Sequence, residues 1–180
     1  LYYGEEIGMR DISLSRGQIQ DPVGKRYWPF DKGRDGCRSP MQWDSRPFAG
    51  FSPSQPWLPV HPNYKVRNVV NQASAPASLL NFYKILIALR REHPALHAGK
   101  LSLIDVDDDA LLVYKRFTED ETMLVVLNFS KGLRSYSLPT DEYNNWDLIF
   151  TGNEPLTSQM TDSTLNLPAY GVAILLSRAT

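Results

Sequence analysis

Apolar residues recur at helical spacing in residues 77–92, the most regular stretch of the chain. Pro76 suits the first turn of a helix, where no backbone N–H is needed, and Pro94 prevents the helix from continuing. The spacing therefore predicts one helix with a wide apolar face. The residues of this face are Leu79, Leu80, Phe82, Tyr83, Leu86, Ile87 and Leu89.

From about residue 99 the pattern changes to short apolar runs that are separated by turn residues. Several such runs at regular intervals are typical of an antiparallel β-sandwich. We therefore predict strands at residues 101–106, 111–117, 123–129, 134–138, 147–150, 165–167 and 172–177.

Three features of this region are similar to metal-binding or glycosylation sites, but a turn, a strand and a helix cap explain them better. Residues 107–109 are all aspartate, as in a calcium site, yet they lie between two predicted strands, where a tight turn is expected. Asn128 begins an N-glycosylation pattern but lies inside a predicted strand. His93 and His97 have no third ligand at metal spacing, so we interpret them as cap and surface residues.

Residues 4–76 contain most of the 13 prolines and many of the aromatic residues. The prolines interrupt every long regular element, so this segment predicts an unusually long irregular stretch. Disorder is disfavoured because tryptophan, tyrosine and phenylalanine are depleted from disordered chains. Two interpretations remain open: an ordered loop beside a pocket, and a folded lid that covers the edge of a core.

Composition narrows the range of functions. A chain of 180 residues with 42% hydrophobic and 11% aromatic residues can bury a substantial core. The 19 basic and 20 acidic residues give a net charge of -1 with no basic tract, which argues against nucleic acid and anionic membranes as partners. No apolar run approaches the length of a membrane span. A single cysteine, Cys37, cannot form an internal disulfide and favours a reducing, cytoplasmic location.

Residues 33–44, GRDGCRSPMQWD, place charged residues between glycines and a proline. This composition opposes both helix and strand and predicts an ordered loop that presents charge. The alternative is an ion-paired loop that seals the end of a domain. The chain also begins without methionine on an apolar run, LYYGEEIGM, which leads us to expect the C-terminal part of a longer polypeptide.

These segments resemble the α-amylase superfamily, glycoside hydrolase family thirteen, and within it the α-glucosidase and oligo-1,6-glucosidase type. The resemblance rests on YYGEEIGM at residues 2–9, KGRDGCRSPMQWD at residues 32–44, AGFS at residues 49–52 and PWLPV at residues 56–60. Asp21-Pro22, Tyr27-Trp28-Pro29 and the helix that follows Pro76 agree with it.

The resemblance implies an α+β chain that is mostly β. Residues 1–98 would be the C-terminal end of a catalytic (β/α)8 barrel, with strand 8 at residues 1–3, a long loop at 4–76 and helix 8 at 77–93. Residues 99–180 would be the family's C-terminal antiparallel β-sandwich. Loops that follow barrel strands are where such barrels build their active sites.

The chemistry implied is retaining hydrolysis of α-glucosidic bonds, which needs two carboxyl groups about 5–5.5 Å apart. In the family these acids lie on earlier barrel strands, so no catalytic residue is assigned here and the chain alone is expected to be inactive. No cofactor or metal is predicted. The expected partners are an oligosaccharide substrate and the rest of the barrel.

Substrate recognition is the part that the resemblance gives to this chain. Arg38 matches an arginine that holds the non-reducing glucose, and Glu6 or Glu5 would accept hydrogen bonds from the leaving-side sugar. The alternative for Arg38 is a loop-bracing ion pair with Asp35 or Asp44. Two other functions also remain open, a carbohydrate-binding module and a catalytically inactive relative that acts as a binding partner.

Overall fold

A computed structural model describes residues 1–139, 146–152 and 158–178. Its internal contacts divide the chain into two compact units, Leu1–Lys84 and Ile85–Thr180. In the described part of the chain, no helix has the length and apolar character that crossing a membrane requires.

The first unit is largely irregular, as the prolines predict, and is built from short helical turns. Its 3-10 turns are Glu5–Ile7, Arg16–Gln18, Asp35–Arg38, Pro47–Gly50 and Pro62–Lys65, and its α-helices are α1 (Pro22–Tyr27) and α2 (Val69–Ala73), followed by the start of α3 (Leu79–Glu92). Residues 1–3, the expected end of the barrel, pair with no other strand among the described residues.

Polar side chains define the short helices of this unit. The Asp21 carboxylate accepts the Val23 N–H at 2.9 Å and so caps α1, which begins at Pro22. The Asn68 side chain caps α2 in the same way through the Asn71 N–H at 2.8 Å. The prolines that interrupt regular structure therefore also begin new elements.

Two small apolar clusters stabilise the first unit. One consists of Ile12, Leu14, Ile19 and Leu58, with Trp28 packed against it. The other consists of Ile7, Met41 and Leu80, with Met9 and Val69 packed against it. Leu80 lies near the start of α3, so the predicted helix contributes its buried residue to this second cluster.

The described residues of the second unit form the remainder of α3, the short α4 (Pro94–His97) and eight strands. The strands are β1 (Lys100–Ile104), β2 (Leu111–Phe117), β3 (Glu121–Asn128), β4 (Arg134–Ser137), β5 (Asp147–Phe150), β6 (Gln159–Thr161), β7 (Thr164–Leu167) and β8 (Val172–Arg178). All seven predicted strands are present, and β6 is an addition.

The strands form two antiparallel sheets, in the orders β1-β2-β3-β8-β5 and β4-β7-β6. One apolar core joins the two sheets, which confirms the predicted β-sandwich. The larger sheet contributes Leu111, Val113, Leu124, Val126, Ala173 and Leu175, and the smaller sheet and its flank contribute Tyr136, Leu138, Leu165 and Leu167.

Polar residues in the sandwich have structural roles. The Asp108 carboxylate accepts the Ala110 N–H at 2.9 Å and pairs with Arg134 at 3.1 Å, which confirms the turn between β1 and β2. Asn128 is buried, and its amide donates to the carbonyls of Gly132 at 2.8 Å and Pro168 at 2.7 Å. An amide in this position cannot carry a glycan without losing these bonds.

Candidate functional site

The first unit contains an open cavity of about 430 Å³. It is lined by two residues near the N-terminus and by residues between positions 38 and 57. Its lining combines one arginine and one carboxylate with aromatic and small residues. The lining residues are Tyr3, Glu6, Arg38, Ser39, Pro40, Met41, Trp43, Phe51 and Trp57.

The N-terminal turn places Glu6, but not Glu5, on the cavity. The Glu6 carboxylate accepts the Gly4 N–H at 2.8 Å, and Glu6 is half-buried in the lining. Glu5 is exposed, accepts the Tyr2 N–H at 3.2 Å and does not belong to the lining. Successive side chains of a 3-10 turn point about 120° apart, so two neighbouring acids cannot face one cavity equally.

Tyr3 connects this turn to the charged loop. Its hydroxyl donates to the Ser39 carbonyl at 2.8 Å, which fixes the turn against the residue that follows Arg38. Burial raises the pKa of Tyr3 above its usual value of 10.0, and the positive charge of Arg38 opposes this rise only weakly. The phenol therefore stays neutral at physiological pH and acts as a hydrogen-bond donor.

Arg38 lies between the cavity and two buried aspartates. Its Nη1 is 3.4 Å from Asp21 Oδ2 and 3.6 Å from Asp35 Oδ1, while its side chain remains 36% exposed. The predicted contact with Asp35 is present, but Asp44 pairs with Arg46 instead, at 2.6 Å. Both aspartate contacts of Arg38 use one nitrogen, so the same guanidinium is anchored and also lines the cavity.

Backbone N–H groups fix the position of both aspartate carboxylates. Asp35 is completely buried, and its Oδ2 accepts the N–H groups of Gln20 at 2.6 Å and Asp21 at 2.7 Å. The pKa of Asp21 lies below its usual value, chiefly through the Val23 N–H bond, while burial opposes the shift. Asp21, Asp35 and Arg38 thus form a unit that we call the aspartate brace.

Glycine at residue 33 is required by the aspartate brace. Gly33 has φ +67°, and a Cβ atom there would lie 2.7 Å from the carboxyl carbon of Asp21. Any side chain would therefore displace the carboxylate that contacts Arg38. Gly33, which in the sequence suggests only a loop, thus leaves the space that the Asp21 carboxylate needs to contact Arg38.

Of the residues that the sequence predicts for substrate binding, Arg38 and Glu6 line the cavity, but most of the cavity wall was not predicted. Trp43, Phe51 and Trp57 are each about half exposed in the lining, although Trp43 alone belongs to the charged loop. The signal that would have indicated them is the aromatic content of a proline-rich, irregular segment. Among residues 1–139, 146–152 and 158–178, no group of three or more His, Cys, Asp or Glu side chains is arranged to hold a metal ion.

Curated relatives share both parts of the chain. It is 34% identical to a probable alpha-glucosidase of Rhizobium meliloti, over 95% of this chain and 30% of that protein. It is 37% identical to an oligo-1,6-glucosidase of Halalkalibacterium halodurans, over 99% of this chain and 35% of that protein. The chain thus spans about a third of the length of these relatives.

Solved structures give the same result. The alpha-glucosyl transfer enzyme XgtA superimposes with a TM-score of 0.84 at 32% identity, covering 99% of this chain and 32% of that one. The trehalulose synthase MutB from Pseudomonas mesoacidophila gives a TM-score of 0.77 at 29% identity, covering 96% of this chain and 34% of that one.

Family profiles match nearly the whole chain. Residues 101–174 match the profile described as "Maltogenic Amylase, C-terminal domain", which agrees with the β-sandwich. Residues 1–99 match the profile described as "Alpha amylase, catalytic domain". The chain therefore belongs to the alpha-amylase family.

Proposed function

We propose that this chain is the C-terminal part of a retaining α-glucosidase that hydrolyses short oligosaccharides of maltose or isomaltose type. Family membership and the names of the relatives support the reaction class. The observation that carries the proposal is Arg38, which lines an open cavity while the aspartate brace fixes its position.

Arg38 is suited to binding a sugar at the inner end of the cavity. A guanidinium carries five N–H donors in a fixed plane, and only Nη1 is committed to the aspartates. The remaining donors match the adjacent hydroxyl groups of a glucose ring. The brace also offsets the entropy of ordering a long side chain, because the arginine is held before substrate arrives.

Glu6 is the proposed acceptor for hydroxyl groups of the leaving-side sugar, since its carboxylate lines the same cavity. Glu5 remains in the proposal only as an outer contact, because it is exposed and outside the lining. The nucleophile and the acid/base belong, by the family resemblance, to earlier barrel strands. This chain would then supply recognition and not bond cleavage.

The proposal includes the domain division and the location. We assign residues 1–98 to the catalytic barrel and residues 99–180 to the sandwich domain, in agreement with profile matches at 1–99 and 101–174. We assign the protein to the cytoplasm, since its one cysteine, Cys37, is a free and exposed thiol, as a reducing compartment allows.

The test compares Arg38→Ala with Arg34→Ala in the protein expressed from its complete reading frame. Arg34 is a matched control because it belongs to the same loop and also contacts Asp21, at 4.0 Å, yet its side chain is 79% exposed and outside the cavity lining. We expect Arg38→Ala to lower kcat/KM for maltose and isomaltose about 10- to 100-fold, as loss of a charged hydrogen-bond donor predicts, and Arg34→Ala to change it less than about threefold.

Two outcomes would contradict the proposal. Equal kcat/KM in Arg38→Ala and the parent protein would exclude Arg38 from sugar recognition. A parent protein that binds maltose without hydrolysing any α-glucoside would favour a binding module or an inactive relative.

A further inference from the structure

We propose that Trp43, Phe51 and Trp57 form an aromatic rim that stacks against the second sugar ring of the substrate, on the leaving side of the scissile bond. This inference rests on the proposed function and extends it, since it assigns the residues that make the enzyme prefer a disaccharide over a glucoside with a small leaving group.

The depth of the cavity separates an inner end from the rim. Ser39 and Met41, which belong to the same lining as Arg38, are only 2% and 7% exposed. The three aromatic residues of the same lining are far more exposed, with Trp57 at 59%. A substrate whose first ring reaches Arg38 therefore places its next ring among the aromatic side chains.

The chemistry of the rim matches a pyranose ring. Each face of such a ring presents C–H groups, whereas its hydroxyl groups project around the edge. Indole and phenyl rings offer flat apolar surfaces for the faces, and Glu6 in the same lining offers acceptors for the edge. An apolar ligand would give the Glu6 carboxylate no hydrogen bond beyond the one from the Gly4 N–H, so the combination favours a sugar.

A strained turn holds two members of the rim in place. The backbone is left-handed at three successive residues, with φ values of +55° at Phe48, +59° at Ala49 and +66° at Gly50. Residues other than glycine rarely adopt this conformation. The Trp43 N–H donates to the Ala49 carbonyl at 3.0 Å, and the Phe51 N–H donates to the Phe48 carbonyl at 3.1 Å. The turn therefore ties the backbone of both residues to residues 48–49, and both aromatic side chains belong to the cavity lining.

Asp44 and Arg46 support this turn from outside the cavity. The Asp44 carboxylate binds the Arg46 backbone N–H at 2.8 Å and its guanidinium at 2.6 Å. A Cβ atom on Gly50 would lie 2.4 Å from Asp44 Oδ2, so the carboxylate occupies the space that a side chain would need. Strain held in this way by surrounding contacts is typical of functional sites.

The experiment compares two substrates on the protein expressed from its complete reading frame. Maltose or isomaltose carries a second sugar ring, whereas methyl α-glucoside ends in a methyl group that cannot reach the rim. We expect Trp57→Ala and Phe51→Ala each to lower kcat/KM for the disaccharide about 5- to 30-fold, and to leave kcat/KM for methyl α-glucoside within about twofold. Trp57→Phe, which keeps an aromatic face, should recover most of the loss.

Phe30→Ala is the matched control for Phe51→Ala. Phe30 is 96% exposed and outside the cavity lining, so its removal should change neither substrate. Thermal unfolding of every variant identifies misfolding, and the alanine substitutions at two separate positions, Trp57 and Phe51, keep the test valid if one of them does not fold.

The possible results separate failure of this inference from failure of the proposed function. A parent protein that hydrolyses neither substrate overturns both. A parent protein that is active, with Trp57→Ala and Phe51→Ala unchanged on the disaccharide, overturns only the aromatic rim. Equal losses on disaccharide and methyl α-glucoside also overturn it, because they would assign the rim to the first ring or to folding.

Discussion

Replacing Asp35 by asparagine tests whether the aspartate brace depends on charge. Asp35 is completely buried, and one of its oxygens accepts two backbone N–H groups while the other faces Arg38 at 3.6 Å. Asparagine keeps the shape of the side chain. Its single carbonyl oxygen must face the two N–H groups, so its NH2 group faces the guanidinium, donor against donor.

The magnitude follows from these contacts. Hydrogen bonds to a charged acceptor contribute about 1 kcal/mol more than those to a neutral one, so two bonds lose about 2 kcal/mol. Loss of the ion pair with Arg38 adds at most about 1 kcal/mol, since the arginine is partly exposed and solvent screens the pair. The sum, about 2–3 kcal/mol, corresponds to a 30- to 150-fold increase in local opening.

Hydrogen exchange measures this opening at the two donors. We expect the amides of Gln20 and Asp21 to exchange about 30- to 150-fold faster in Asp35→Asn, while amides of β3 report whether the protein unfolds globally. Asp31→Asn is the control, because Asp31 is exposed and accepts only the Gly33 N–H at 2.8 Å in the same loop. Exchange within threefold of the parent protein, or equal acceleration in the control, would refute the reasoning.

Two further predictions concern pH and packing. Folding lowers the pKa of Asp21, chiefly through the Val23 N–H bond. The ionised Asp21 therefore stabilises the folded state above pH 3.8, the ordinary pKa of an aspartate, and this contribution is lost as the pH falls through the pKa of the folded state. Near-ultraviolet circular dichroism below about pH 4 should show an acid transition that Asp21→Asn reduces. Leu175 is completely buried in the sandwich core, so Leu175→Ala should lower the free energy of unfolding by about 3–4 kcal/mol. The control Leu112→Ala, at a half-exposed residue, should lower it by less than about 1 kcal/mol, with hydrogen exchange of β3 amides as the measurement. A loss below about 1 kcal/mol at Leu175 would contradict the assigned core.

The sequence predicts a helix or strand well when its hydrophobic pattern is long and when one face is apolar and the other polar. The helix at Leu79–Glu92 and the strands of the sandwich core meet both conditions. The strand Gln159–Thr161 does not, because all three residues are exposed on an edge strand and show no alternation. The helix Pro22–Tyr27 is too short for a helical period, so its cap, Asp21, is the better signal.

The candidate site is harder to predict because its contacts are distant in sequence. Asp21 and Arg38 are 17 residues apart, and no local spacing indicates that they meet. The choice between Glu5 and Glu6 depends on the orientation of one 3-10 turn, which neither residue type determines. Family resemblance supplied Arg38, and the sequence named Asp35 as one of two candidate partners, whereas the contact with Asp21 required the fold.

Under the proposed function, Arg38 has two roles that substitution of the arginine alone cannot separate. Arg38→Ala would remove both the proposed donor to the sugar and the counter-ion of two buried carboxylates, so activity and local stability would be lost together. Asp35→Asn weakens the brace but keeps the guanidinium, which is still 3.4 Å from Asp21. If Arg38 binds sugar directly, Asp35→Asn must therefore reduce kcat/KM less than Arg38→Ala does, even where the two variants loosen the loop equally. If Arg38 only braces the loop, kcat/KM must depend on local opening alone. Two variants that loosen the loop equally must then lose kcat/KM equally.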